Sequence, residues 1–352
     1  MSGMESHASS RLQAAPLVLT GAALGLLVAI GRDRVAPTAL ALWLEPFWLV
    51  FGVYGVLVLA VGGRGRAALG AALGLALLLV GARVPLVHPV AAANPPGWAS
   101  ALRGCALLPD PVRAPIRLML WTVDPRHPPS LDNTTLEAHP DLVLLTGSSD
   151  TTLAAALQGA LGGEVMTLTG DRPESGMILA VRGAFQYCGG DDDHWVQDLP
   201  GDGGGSRIAL AFPEIADVGV VPLVAVQVSG PGGPGGWLSW PDRLAQATAS
   251  VAGLADTLGA RRMVLAGDLH APRTFRALSD GLRAAGLLSM PAPPNWPASL
   301  PGGLPGLSLH PLDQVWAGAA WSSSGSRAMD PRGQRRAPVI VDLSPNSGVA
   351  GG

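Results

Sequence analysis

The sequence predicts an α/β domain of two sheets with helices outside them, preceded by three apolar segments, and three observations carry that expectation. Apolar runs at 14–30, 46–61 and 67–82 are nearly uninterrupted, and each approaches the roughly 20 residues that a helix needs to cross a bilayer. Beyond residue 115 short β-like runs alternate with helix-period stretches, an order that two sheets flanked by helices accommodate. Loops rich in Gly and Asp separate these runs.

With flanking residues the expected spans are about 14–30, 42–61 and 67–84, making residues 1–90 a membrane anchor. The first lacks a small-residue cleavage pattern and two more follow, so it reads as a retained helix and not a signal peptide. Trp43, Trp48 and Tyr54 crowd the start of the second span and place Glu45 at the headgroups. Arg11, Arg64 and Arg66 fall on one side, Arg32, Arg34 and Arg83 on the other, so charge does not orient the anchor.

Residues 91–114, rich in Ala, Pro and Gly, read as a linker to one domain at 115–345, with 346–352 as a tail. From residue 97 onward 17 Arg face 23 Asp plus Glu, a balance that gives no support to nucleic acid as a partner. All 23 basic residues are arginine, alongside 47 glycines and 32 prolines, which reads as compositional bias of the source genome. Cys105 and Cys188 have no metal spacing, and both a disulfide and two buried thiols stay open.

Within the domain Ile116–Val123 and Pro140–Leu145 read as strands, and Thr151–Leu161, between Asp150 and Gly162, as a short helix. Met177–Val181, Ile208–Phe212 and Val220–Val228 follow as strands. Leu244, Ala247, Val251, Leu254 and Leu258 repeat at helical spacing, with Pro241 and Asp242 in the expected first turn and Gly259 at the end. Met263–Ala266 is the next strand. Phe275, Leu278, Leu282 and Ala285 mark a helix closed by Gly286, and Pro338–Leu343 makes a last strand. The strand at Met263 runs straight into Gly267-Asp268-Leu269-His270, a usual way to hold a metal or a base at a cleft. Gly-Asp also opens ordinary turns.

The order of these landmarks resembles the endonuclease/exonuclease/phosphatase family over residues 115–343. Pro140–Leu145 matches the strand before the family's metal-binding Glu, Gly267-Asp268 its Gly-Asp-x-Asn, Leu312-Asp313-Gln314-Val315 its Leu-Asp-His-Val, and Gly333–Leu343 its Ser-Asp-His-x-Pro strand. Trp296-Pro297 resembles the family's membrane-anchored bacterial members. The resemblance implies a DNase I-like four-layer α/β sandwich after the three transmembrane helices, with the domain outside the cytoplasm on an inner membrane.

The family's chemistry is missing at most of the aligned positions. Thr122 stands for the first Asn, Gly147 for the metal-binding Glu, Ser229 follows the strand that should end in His, His270 replaces Asn, Gln314 replaces His, and Arg335-Arg336 replace the Asp-His of the general base. Hydrolysis of that type needs a metal to neutralise phosphate and a base to activate water, and arginine stays protonated. The expectation is therefore a binding or structural pseudoenzyme with no cofactor. Arg335 and Arg336 are its candidates for an anionic or phosphate-bearing ligand, and at least one of them is expected to pair with Asp268 or Asp313. The alternative is a phosphodiesterase or phosphatase using Mg or another divalent metal at a site rebuilt around Asp268, His270 and Asp313, with His310 as a further candidate ligand. Asp191-Asp192-Asp193-His194 lacks regular ligand spacing and reads as a solvated loop.

Overall fold

A computed structural model describes residues 18–28, 45–83, 114–129, 131, 138–169, 176–186, 194–199, 205–230, 233–271, 275–295, 310–331 and 334–346. Outside these residues lie Arg11, Arg32, Arg34, Trp43, the expected linker apart from Ala114, Cys105, Cys188, Asp191–Asp193, Trp296-Pro297, Gly333 and the tail beyond Asn346. The chain divides into two compact units, Met1–Val90 with Thr274–Ala277, and Ala91–Arg273 with Leu278–Gly352.

The first unit is helical over 18–28, in α1 (Glu45–Val61) and in α2 (Gly65–Arg83). Gly62 and Gly63 turn the chain between α1 and α2, Gly63 with φ 73°. Glycine also sets how closely the helices approach: a Cβ on Gly21 would fall 2.2 Å from the Gly74 carbonyl oxygen, and one on Gly52 would meet Leu75 at 2.9 Å. Their outer faces are apolar, with Leu19, Phe51 and Leu69 more than 60% exposed.

Among the described residues, however, no helix is long and apolar enough to cross a membrane. The 17 residues of α1 and 19 of α2 rise about 26 and 28 Å against a hydrocarbon core of about 30 Å, and α2 carries Arg66 and Arg83 within its ends. Of the expected first span only 18–28 is described. The expectation of three membrane-crossing helices is therefore unsupported by α1 and α2, and the rest of the first expected span lies outside the described residues.

The second unit is mixed α/β. Its strands are β1 (Ile116–Thr122), β2 (Leu142–Thr146), β3 (Val165–Leu168), β4 (Met177–Val181), β5 (Gly183–Phe185), β6 (His194–Asp198), β7 (Arg207–Ala211), β8 (Pro213–Ile215), β9 (Gly219–Val220), β10 (Leu223–Gln227), β11 (Val264–Asp268), β12 (Leu288–Ser289), β13 (Asp313–Ala317), β14 (Trp321–Ala328) and β15 (Val339–Pro345). They form one six-stranded sheet in the order β14-β15-β1-β2-β4-β3, a second in the order β12-β13-β11-β10-β7-β6, and a small sheet β5-β8-β9. Alternate residues of both large sheets enter one shared apolar core: Leu118, Leu120, Leu142, Leu144 and Val341 from the first, Ala209, Leu223, Ala225, Val264 and Val315 from the second. That places the sheets face to face.

Residues of opposite parity cover the outer faces. Met119, Trp121, Val143, Leu145 and Ile178 pack against Leu153, Leu157 and Leu161 of α3 (Thr151–Leu161). On the other side α4 (Gly233–Leu258) buries Leu244, Ala247, Val251 and Leu254 and lies against β7. α3 is a helix by its own signals: Asp150 accepts a hydrogen bond from the Thr152 amide at its N-terminus and Gly162 closes it with φ 68°. α4 starts eight residues earlier than Pro241 suggested, and Pro241 sits inside it at the loss of one backbone hydrogen bond. The run expected as one strand at Val220–Val228 is two, because Pro222 cannot donate to the ladder. α5 (Arg276–Ala284) matches the expected last helix.

Candidate functional site

The strand ends that meet at one edge are set by register. β11 and β13 are antiparallel with Asp268 opposite Asp313, β10 and β11 parallel with Gln227 beside Asp268, and β1 and β2 parallel with Thr122 beside Thr146. Directly opposed residues share one face, so the register alone puts two carboxylates together, an unfavourable pair unless a cation joins them. Both are buried, Asp268 at 2% and Asp313 at 1% exposure.

Arg336 is that cation. Its Nη1 lies 2.6 Å from Asp268 Oδ1 and 3.0 Å from Asp313 Oδ1. The same nitrogen donates to Thr122 Oγ1 at 3.2 Å, and Nη2 lies 2.7 Å from His270 Nε2. The segment before β15 is held in place by the first sheet. Trp121 Nε1 donates to the Arg336 carbonyl at 3.0 Å, Gln334 Nε2 donates to the His127 carbonyl at 2.7 Å, and the Asp124 amide donates to Gln334 Oε1 at 2.9 Å. Arg336 thus reaches from the edge of one sheet into carboxylates of the other.

Proton accounting closes around it. Thr122 Oγ1 donates its single proton to Asp313 Oδ1 at 2.6 Å, so at 2.8 Å Thr146 must donate to Thr122. Asn295 Nδ2 donates to Asp313 Oδ2 at 2.6 Å while its Oδ1 accepts from the Leu312 amide at 3.0 Å. His270 has φ 48°, a conformation rarely taken by a residue with a side chain. Its amide donates to Asp268 Oδ1 at 2.9 Å, and its Nδ1 faces the Val228 carbonyl at 3.0 Å and Asp268 Oδ2 at 2.9 Å. With the Nδ1 proton directed there, Nε2 is the acceptor for Arg336. Gly230 makes room for the ring, since a Cβ on it would fall 2.4 Å from His270 Cδ2.

Burial works to raise the Asp268 carboxyl, but the Arg336 charge and His270 outweigh it and hold the group at about 2, below its ordinary 3.8. Asp313 goes the other way: burial, helped by the Asp268 charge, raises it against Arg336, Thr122 and Asn295. Burial opposes the Arg336 charge, yet Asp268 and Asp313 raise its pKa further. The guanidinium is permanently charged and is no base.

Five of the sequence candidates, Thr122, Asp268, His270, Asp313 and Arg336, therefore converge. The others do not. Arg335, next to Arg336, is exposed. Gln314 points to the opposite face of its strand from Asp313, where it donates to the Ala271 and Pro311 carbonyls and accepts from Trp316 Nε1. Ser229 pairs with Ser206, its amide donating to Ser206 Oγ at 2.9 Å. His310 is buried, and its carbonyl accepts from the Asn295 amide at 3.0 Å. At Gly147 a carboxylate is not merely missing. The residue has φ 86° and a Cβ there would fall 2.5 Å from the Val123 carbonyl oxygen, while its amide donates to the Gly176 carbonyl at 3.0 Å and faces Gln227 Oε1 at 3.3 Å. Asn295 and Trp121 were not visible as site residues; the only sequence signal was the position of Asn295 directly before Trp296-Pro297.

A divalent metal does not fit this arrangement, because the point where the carboxylates converge is taken by Nη1 of Arg336. Among the described residues no group of three or more His, Cys, Asp or Glu side chains is arranged to hold a metal ion.

No family model matches the chain, and no curated protein matches it. Solved structures return likenesses to the group that the landmarks resemble. An endonuclease/exonuclease/phosphatase from Beutenbergia cavernae is 21% identical over 66% of this chain and 72% of its own, with a TM-score of 0.49. An endonuclease/exonuclease/phosphatase family protein from Bacteroides thetaiotaomicron is 10% identical over 67% of this chain and 99% of its own, TM-score 0.47. The human Nocturnin catalytic domain is 14% identical over 67% of this chain and 97% of its own, TM-score 0.46. At these identities and scores they carry nothing about activity, and the layered architecture stands on the sheet order, register and shared core described above.

Proposed function

We propose that the second unit is a non-catalytic domain of the endonuclease/exonuclease/phosphatase type, acting as a binding or structural module. The observation that carries this reading is the Arg336 guanidinium seated between Asp268 and Asp313 at 2.6 and 3.0 Å. Phosphoester hydrolysis needs a cation free to meet phosphate and a group able to take a proton from water. Here the cation is spent on two buried carboxylates, and His270 is held between the Val228 carbonyl, Asp268 and Arg336. Both terminal nitrogens of Arg336 are committed, which leaves exposed Arg335 as the one of the two arginines able to meet an anionic ligand.

The test is hydrolysis of a phosphodiester and a phosphomonoester by the purified full-length chain with Mg²⁺ or Mn²⁺. The expected rate equals that of Asp268→Asn. A wild-type rate abolished by that substitution would overturn the proposal in favour of the rebuilt site around Asp268, His270 and Asp313.

The first unit is read as a membrane-associated part, on the strength of the apolar side chains that α1, α2 and residues 18–28 expose. Placement of the second unit outside the cytoplasm follows from the family resemblance of the landmarks, and protease access from that side of an intact inner membrane tests it.

A further inference from the structure

We infer that the turn joining α1 to α2 is an anchor for anionic phospholipid, with Arg64 and Arg66 meeting headgroup phosphates while the apolar residues beside them enter the acyl boundary. This rests on the reading of the first unit as membrane-associated, and it adds which end of the helix pair meets lipid and which headgroups it prefers. Between 45 and 83 the chain holds four charged residues, Glu45, Arg64, Arg66 and Arg83. The tight turn after Val61 and the packing of Gly52 against Leu75, midway along each helix, make α1 and α2 antiparallel. Glu45 opens α1 and Arg83 ends α2, so their formal charges offset at the open end of the pair. Arg64 and Arg66 stand at the other end, about 25 Å away along the helices, and both are exposed. The negative C-terminus of α1 and the positive N-terminus of α2 meet at this turn and offset each other. Its net charge is that of the two guanidiniums.

The backbone of the turn is set by its own hydrogen bonds. The Gly62 and Arg64 amides donate to the Val58 and Leu59 carbonyls at 2.9 and 3.0 Å, and the Ala68 amide donates to the Arg64 carbonyl at 3.0 Å to begin α2. Residues 62–66 read Gly-Gly-Arg-Gly-Arg, so no bulky neutral side chain stands between the guanidiniums and a surface. Apolar stripes run toward the turn along both helices. Tyr54, Leu57 and Val61 of α1 recur at spacings of three and four, Leu69, Leu73 and Leu77 of α2 at four, and each is 40% exposed or more. Val61, 89% exposed, precedes Arg64 by three residues, and Leu69, 62% exposed, follows Arg66 by three. Guanidinium beside exposed aliphatic surface suits a bilayer interface, where an apolar face sinks about 5–10 Å and cations stay with the phosphates. A polynucleotide supplies phosphate without an apolar layer. A second copy supplies an apolar face, but over residues 45–83 it offers Glu45 as its one carboxylate. An anionic bilayer supplies both partners.

Flotation of the full-length chain with vesicles of phosphatidylcholine alone, or of phosphatidylcholine with phosphatidylglycerol, tests this. Three double variants accompany the wild type: Arg64→Gln with Arg66→Gln, Arg64→Lys with Arg66→Lys, and Arg283→Gln with Arg327→Gln, which removes the same charge from exposed positions of the second unit. The wild type is expected on both kinds of vesicle and more tightly on the anionic ones. A basic residue at an anionic surface contributes about fivefold in affinity, so the glutamine pair at 64 and 66 is expected to bind anionic vesicles about thirtyfold more weakly and neutral vesicles as the wild type does. The lysine pair and the second-unit pair are expected to bind as the wild type, because attraction to a charged surface follows charge and not the geometry of the guanidinium fork. Unchanged binding of the glutamine pair to anionic vesicles overturns the inference, as does an equal loss in the lysine pair or in the second-unit pair. Should the glutamine pair fail to fold, the wild type answers alone: raising NaCl from about 0.15 to about 0.5 M is expected to bring its anionic binding down toward the neutral level, and no change overturns the inference. Wild type that binds both vesicles equally sinks this inference and leaves the membrane-associated reading standing. Wild type that floats with neither sinks both, and a stable oligomer that stays off the vesicles assigns the apolar faces to a second copy instead.

Discussion

Asp268 is the residue whose chemistry the tertiary structure changes most. Its carboxyl, held at about 2 against an ordinary 3.8, has a folded pKa below the unfolded one, so its contribution is complete above pH 4 and is lost as pH falls from about 4 to 2. The shift corresponds to about 2 kcal/mol. Asp313 carries the opposite sign: its raised carboxyl favours the folded state at low pH, and that advantage is lost as pH rises above the unfolded value. Urea unfolding between pH 4 and 2 is therefore expected to lose stability more steeply in the wild type than in Asp268→Asn, by up to about 2 kcal/mol across the window. Equal slopes would show that Asp268 is not held down by Arg336 and His270. Gly147 shows a different kind of residue-scale control. Its positive φ and the Val123 carbonyl 2.5 Å from a Cβ position make the local backbone incompatible with the glutamate that the resemblance would place there.

At the scale of elements, α3 is the clearest case of local sequence setting structure. The Asp150 side chain takes the Thr152 amide at 2.7 Å, and Leu153, Leu157 and Leu161 supply the buried stripe. Asp150→Ala is expected to cost about 1 kcal/mol, read as a lower denaturant midpoint with an unchanged slope; no change would mean that packing of the leucines alone fixes the helix. β14 is the converse. Its sequence, WSSSGSRA, is polar and mostly exposed, with a register shift between Ser323 and Gly325. Apart from Trp321, which is buried in the shared core, no apolar alternation marks it as a strand, because an edge strand buries little and is protected by polarity and irregularity. The short strands β5, β8, β9 and β12 escape for a related reason: two or three residues hold no period to read.

For the whole molecule, the first compact unit comprises Met1–Val90 with Thr274–Ala277. The apolar faces of the first unit predict that the full-length chain sediments with lipid vesicles at physiological pH. Recovery in the soluble fraction without detergent would overturn the membrane-associated reading, since apolar surface gains about 25 cal/mol per Å² when withdrawn from water.

By itself the sequence determined the alternation of strands and helices, the caps of α3, the candidacy of Thr122, Asp268 and Asp313 as separate residues, and the absence of an ionisable base where Arg335 and Arg336 stand, because periodicity, turn chemistry and residue type are local properties. Only the tertiary structure decided which arginine is buried and which exposed, that Asp268 faces Asp313, that Asn295 and Trp121 complete the cluster, and that Gln314 turns away. Each of these depends on register between strands distant in the chain. A shift of one residue would reverse every side chain between core and cleft, and no local pattern encodes that choice.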